Sequence, residues 1–143
     1  SAPNRAAAIT FLGMSRDTQY TGLYIRHLND ESDRVVNAAA NALGKSKSPA
    51  AYAALLQLKN KPSWKNQSLI SALNGLKELG DPRGAELALA ALKDTDAAPR
   101  WTLATPVWDF RLAAAETLVT LGKGSEGYPV VWERFKKSMQ EDA

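Results

Sequence analysis

Few residues of this sequence have types and spacings that could do chemistry. One histidine, His27, and no cysteine are present among 143 residues. A thiolate nucleophile, a disulfide framework and a zinc site of thiolates or paired imidazoles are therefore beyond this chain alone. A Ser-His-Asp triad would have to use His27, and no Gly-x-Ser-x-Gly elbow supplies its nucleophile. The densest grouping is Trp108-Asp109-x-Arg111, an indole, a carboxylate and a guanidinium within one turn. Asp109 there reads as a helix N-terminal cap, and His27 reads as a cation-capable group beside a helix carboxyl terminus. No catalytic residue, metal ligand or cofactor site is expected in this segment.

The elements that carry these residues repeat. A unit of acidic turn, alanine-rich helix, break and second apolar helix runs from Asp30 to Asn60 and recurs from Ser68 to Asp94 and from Phe110 to Lys137. An earlier copy fills Arg5 to Asp30. Leu12, Leu43, Leu76 and Leu118 mark the same place in the four first helices, at intervals of about 31 to 33 residues and then about 42. That is the period of a helical solenoid. Repeats are placed at about 4–30, 31–61, 62–94 and 107–139, within one domain spanning 1–143. The inserted stretch 95–107 is read as a loop, because Pro99 and Pro106 remove helix donors. Leu69, Leu73, Leu76 and Leu79 fall on one helical stripe. Ser63 is the expected cap ahead of the third pair, Gly80 its left-handed stop, Pro82 the opening of the next helix, and Gly44 to Pro49 a break. The chain opens Ser1-Ala2-Pro3 and is read as part of a longer polypeptide. No apolar run approaches the length of a membrane span, so no membrane partner is expected; the compartment is left open between cytoplasmic and exported.

Phe110-Arg111-Leu112-Ala113-Ala114-Ala115-Glu116-Thr117-Leu118 and Gly80-Asp81-Pro82-Arg83 resemble HEAT repeats, in particular the short variety of phycocyanobilin lyases, and the likeness covers residues 5 to 137. It implies an all-α fold, an α-α superhelix of four antiparallel helix pairs with a right-handed twist. Asn37 and Leu69 depart from the pattern, standing where the family usually has arginine. More narrowly, Pro62 to Asp94, the insertion and the final Arg-x-Ala-Ala-Ala helix look like the C-terminal helical region of bacterial aminopeptidase N-class zinc metallopeptidases. Chemistry in those enzymes belongs to a His-Glu-x-x-His helix in another domain, and that motif is absent from this chain. The resemblance thus implies a non-catalytic accessory segment of a larger bacterial protein. Trp108, Asp109 and Arg111 are also similar to residues of HEAT-like DNA glycosylases, a third and lesser reading.

Candidate partner-binding residues follow from the helical pattern. In the first unit Tyr20, Tyr24, Ile25 and Leu28 point inward, leaving Gly22 and Arg26 outward; in the second Leu55 and Leu56 are inward, with Ala53 and Gln57 outward; in the third Glu86 and Ala90 are outward. Arg26, Gln57 and Glu86 then line a face fitted to a preceding domain of the same polypeptide or to another protein. From Arg34 to Lys77 the chain has bases and no acid, including Lys45, Lys59, Lys61 and Lys65. This half offers an acidic protein or nucleic acid a docking patch, the latter being the alternative function. Trp101 and Trp108 either pin the insertion or present an aromatic surface, while Trp64 covers a seam between units. Trp132, on a stripe with Tyr128, Val131, Phe135 and Met139, is expected in the core. The polar Glu133, Arg134, Lys136, Lys137 and Gln140 would close that end, and the first helix is expected to expose apolar surface.

Overall fold

The computed structural model describes residues 1–63, 66–93 and 109–141, and among them the chain is helical with no strand. The elements are α1 (Ala2–Gly13), α2 (Thr21–His27) after a 3-10 turn at Thr18–Tyr20, α3 (Asp33–Ser46), α4 (Ala51–Leu58), α5 (Gln67–Leu79), α6 (Gly84–Lys93), α7 (Asp109–Thr120) and α8 (Gly124–Glu141). Their ends follow local chemistry. Pro3 sits in the first turn of α1, where a missing N–H costs nothing. Gly80, at φ 74°, stops α5 with its N–H on the Leu76 carbonyl. Gly122, at φ 77°, ends α7, with the Lys123 N–H reaching the Leu118 carbonyl. Ser63 Oγ accepts from the Ser68 N–H at 2.8 Å, so it caps α5 as expected although α5 itself opens only at Gln67. Pro82 lies in the turn before α6 and does not open that helix, which begins at Gly84.

The first helices of the units pack in a row, α1 on α3, α3 on α5 and α5 on α7, and α2, α4 and α6 pack against α3, α5 and α7. Burial explains the order. On α5, Ala72 and Leu76 join a core with residues of α1 to α4, and Leu73 joins a second core with α6 and α7. Hiding such apolar area contributes about 25 cal/mol per Å².

Close approach sets the spacing of the row. A Cβ on Gly13 would lie 2.8 Å from the Ala42 Cβ, one on Gly75 would lie 2.8 Å from the Ala40 carbonyl, and one on Gly44 would collide with the Gly75 carbonyl. Gly44 is therefore no break: it lies inside α3, where contact with α5 demands the smallest residue. With the marker leucines aligned, Phe11, Ala42, Gly75 and Thr117 share one register position. At α7 a hydrogen bond replaces the small residue, because Thr117 Oγ1 lies 3.1 Å from the Leu73 carbonyl and 2.7 Å from that of Ala113.

Three expectations about burial are corrected. Trp132 is 57% exposed, and Tyr128, Val131 and Met139 are exposed with it. α8 docks through Gly127 and Val130, a different face of the helix; a Cβ on Gly127 would touch Leu118 at 3.0 Å and Leu92 at 3.3 Å. Consequently the outer face of α8 is no uniformly polar cap, since Glu133, Lys136, Lys137 and Gln140 share it with these apolar side chains. Leu56 is half-buried, whereas Leu55 is fully enclosed. Trp64 and the insertion 95–107 lie outside the described residues.

Candidate docking surface

Helix packing leaves α3 a narrow exposed line. Val35, Val36, Ala38, Ala39, Ala40, Ala42, Leu43 and Gly44 are buried; beyond the exposed Asp33 at its start, Arg34, Asn37, Asn41 and Lys45 emerge along one stripe, at spacings of three, four and four. Asn37 is held in place from the next unit: its Oδ1 accepts from Ser71 Oγ and Asn74 Nδ2, both at 3.3 Å. Hydrogen bonds to the Asn37 side-chain amide thus link neighbouring units at this position. Beside this line, a groove of about 350 Å³ opens between α1 and α3, with Pro3, Ala6, Ala7 and Thr10 on one side. Arg34, Asn37, Ala38 and Asn41 form the other. A second groove, of about 400 Å³, lies between α5 and α7, lined by Lys77, Ala115, Glu116, Val119 and Thr120.

The basic residues divide by what they touch. Lys61 Nζ donates to the Leu28 and Asp30 carbonyls at 3.2 and 2.9 Å, holding the carboxyl end of α2. Lys47 Nζ does the same for Glu78 and Leu79 at the end of α5, at 3.2 and 2.9 Å. Lys77 pairs with Glu116 at 3.5 Å. Lys59 is exposed just past α4, Lys45 is half-buried on α3, and Lys65 lies outside the described residues. Lys47, Lys61 and Lys77, three of the six described bases of that stretch, are thus committed to helix ends and neighbours.

Arg26, Gln57 and Glu86 are exposed on α2, α4 and α6 as expected, and no hydrogen bond or ion pair among the described residues joins them. Trp101 and Trp108 fall outside the described residues. α7 begins at Asp109, and Arg111 is buried at 5% exposure within it. His27 Nδ1 lies 2.9 Å from the Leu23 carbonyl, so Nδ1 donates and the ring backs onto its own helix. Arg5 grips Asp30 through two hydrogen bonds of 3.0 and 3.1 Å. That guanidinium, helped by the Ser32 N–H, holds the Asp30 carboxyl below the usual carboxylate range. Asp81 is lowered likewise by Arg83, whose guanidinium lies 4.0 Å from the Tyr52 ring centroid. No group of three or more His, Cys, Asp or Glu side chains that could hold a metal occurs among the described residues. No described helix is long and apolar enough to cross a membrane.

Apolar side chains flank the polar stripe at both edges of the row. Phe11 is 73% exposed on α1 with Met14 exposed just past its end, and Leu112 and Val119 emerge from α7. Against this geometry, residues 1–74 match the family model for HEAT repeats. The chain belongs to the HEAT-repeat family. A comparison with curated proteins finds no match. HEAT repeats are helical scaffolds generally without catalytic function and often used in protein interactions, consistent with the grooves and exposed edges of this HEAT domain. Reading the sequence noted Asn37 only as a departure from the repeat pattern and missed Asn41, Ser71 and Asn74. The available signal was the recurrence of polar residues at 34, 37, 41 and 45 in an otherwise alanine-rich helix.

Proposed function

We propose that this HEAT domain is a non-catalytic interaction scaffold, four antiparallel helix pairs stacked in a right-handed superhelix, serving as the C-terminal accessory domain of an aminopeptidase N-like zinc metallopeptidase. The observation that carries the scaffold reading is the exposed apolar set at the two edges, Phe11 on α1 with Met14 just past it, and Leu112, Val119, Tyr128 and Trp132 on α7 and α8. Large apolar side chains left exposed together mark a surface fitted to contact with another. The metallopeptidase parentage draws support from the sequence from Pro62 to Asp94 and the final Arg-x-Ala-Ala-Ala helix. Within such a protein the segment itself would need neither metal nor cofactor, and its partner would be the preceding domain or another protein.

A nucleic-acid interface on the Arg34 to Lys77 half draws less support, because Lys47, Lys61 and Lys77 are engaged within the fold. A glycosylase draws less again, with Arg111 buried in α7. The test of parentage is the reading frame upstream of Ser1. A His-Glu-x-x-His helix followed by a distant Glu is expected there. An upstream frame without that motif overturns the metallopeptidase reading, and upstream repeats alone make this a free-standing scaffold.

A further inference from the structure

We propose that the groove between α1 and α3 docks an extended acidic polypeptide segment, its main chain running over Asn37 and Asn41 and its carboxylates meeting Arg34 and Lys45. The inference deepens the scaffold reading and rests on it. Ser71 Oγ and Asn74 Nδ2 both donate to Asn37 Oδ1, so this oxygen is held toward α5. The amide NH2 of Asn37, a residue that lines the groove, has no hydrogen-bond partner among the described residues and keeps its hydrogens to donate. Asn41, four residues on and lining the same groove, has no hydrogen-bond partner among the described residues and offers a donor and an acceptor. Paired amide donors and acceptors complement peptide units, and the floor of Ala6 and Ala38 lets a main chain approach closely.

Charge selects the sign of the ligand. Arg34 and Lys45 make no ion pair or hydrogen bond among the described residues, and no acid occurs between them or as far as Lys77, the exposed Asp33 and Glu31 lying at the amino end of the stripe. Along the helix they stand about 16 Å apart, at about 1.5 Å per residue. An extended chain covers that span in about five residues, at about 3.3 Å each. The same spacing disfavours a nucleic acid. Two cations separated by neutral amides neutralise only about two phosphates, whereas well-bound duplexes involve about six to ten.

The experiment is fluorescence-anisotropy titration of the 143-residue chain with labelled Gly/Ser peptides of about twelve residues. One carries two Glu residues about five positions apart, one the same two Glu residues adjacent, and one carries none; a single-stranded oligonucleotide is the fourth probe. The spaced-acid peptide is expected to bind about tenfold tighter than the neutral one, with the adjacent-acid peptide between them. Arg34→Glu with Lys45→Glu should remove that preference, and Asn41→Leu should weaken all three peptides alike. Circular dichroism of each variant checks that the helices are retained. Equal affinity for the three peptides, no measurable peptide binding, or tighter binding of the oligonucleotide overturns the assignment. The accessory-domain reading stands or falls separately on the upstream reading frame, so a failed groove leaves it in place.

Discussion

Tyr24 is fully enclosed in the first core, and its hydroxyl has no hydrogen-bond partner among the described residues. A buried hydroxyl without a partner costs about 1 to 3 kcal/mol. Tyr24→Phe is therefore expected to raise stability by about 1 kcal/mol in urea unfolding. Burial, followed by the nearby Tyr20 and Asp17, pushes the Tyr24 phenol above its ordinary value. The folded state thus keeps this proton longer than the unfolded chain, and stability is lost as pH rises beyond about 10, a loss that Tyr24→Phe should reduce. Asp30 works in the opposite sense. Arg5 holds its folded pKa below the usual carboxylate value, so its contribution is present at neutral pH and disappears as pH falls below about 4. Asp30→Asn should lower the melting temperature at pH 7 and lose its difference from the parent chain in acid; a constant difference across that range would contradict the assignment. The inward positions Tyr24 and Leu28 were legible from helical periodicity. The grip of Lys61 on the end of α2 was not, because it joins segments about thirty residues apart that only the fold brings together.

At the scale of the element, glycines of one type play different parts. Gly22 lies on the exposed side of α2 with no atom within 4 Å of where a Cβ would stand, so Gly22→Ala should stabilise by about 0.5 to 1 kcal/mol through helix propensity. Gly44 is equally helical, yet a Cβ there collides with the Gly75 carbonyl. Gly44→Ala must push α3 and α5 apart, and the overpacking cost of about 1 to 3 kcal/mol exceeds any gain in propensity. Urea midpoints moving in opposite directions for the two variants would verify both readings. Sequence reading took Gly44 for punctuation because a glycine between an alanine-rich helix and Pro49 looks the same whether it ends the helix or admits a neighbour. Only the partner helix distinguishes the two. Gly80 posed no such ambiguity: followed by Asp81 and Pro82, it carries its own local reason to stop α5.

For the whole molecule, the row of first helices presents two unlike kinds of surface, an amide and cation stripe on α3 and apolar edges at α1 and α7. Phe11 occupies the register position held by Ala42, Gly75 and Thr117, the residues that meet a preceding helix at close range. A Phe11→Ser, Met14→Ser double variant is expected to bind markedly less apolar-sensing dye, with helix content unchanged and stability within about 0.5 kcal/mol. Unaltered dye fluorescence would show that the exposed apolar surface lies elsewhere. The sequence by itself determined the helical class, the recurrence of units and inward positions such as Tyr24, Leu28 and Leu55, because periodicity, capping and helix propensity act over a few residues. Tertiary structure decided which lysines remain for a partner, which glycines are contacts and which aromatic residues are covered. The Trp132 stripe is as regular as any core stripe, yet α8 turns Gly127 and Val130 to its neighbours instead. Amphipathic spacing identifies a face that can be buried, and the shape of the adjoining helices selects the one that is.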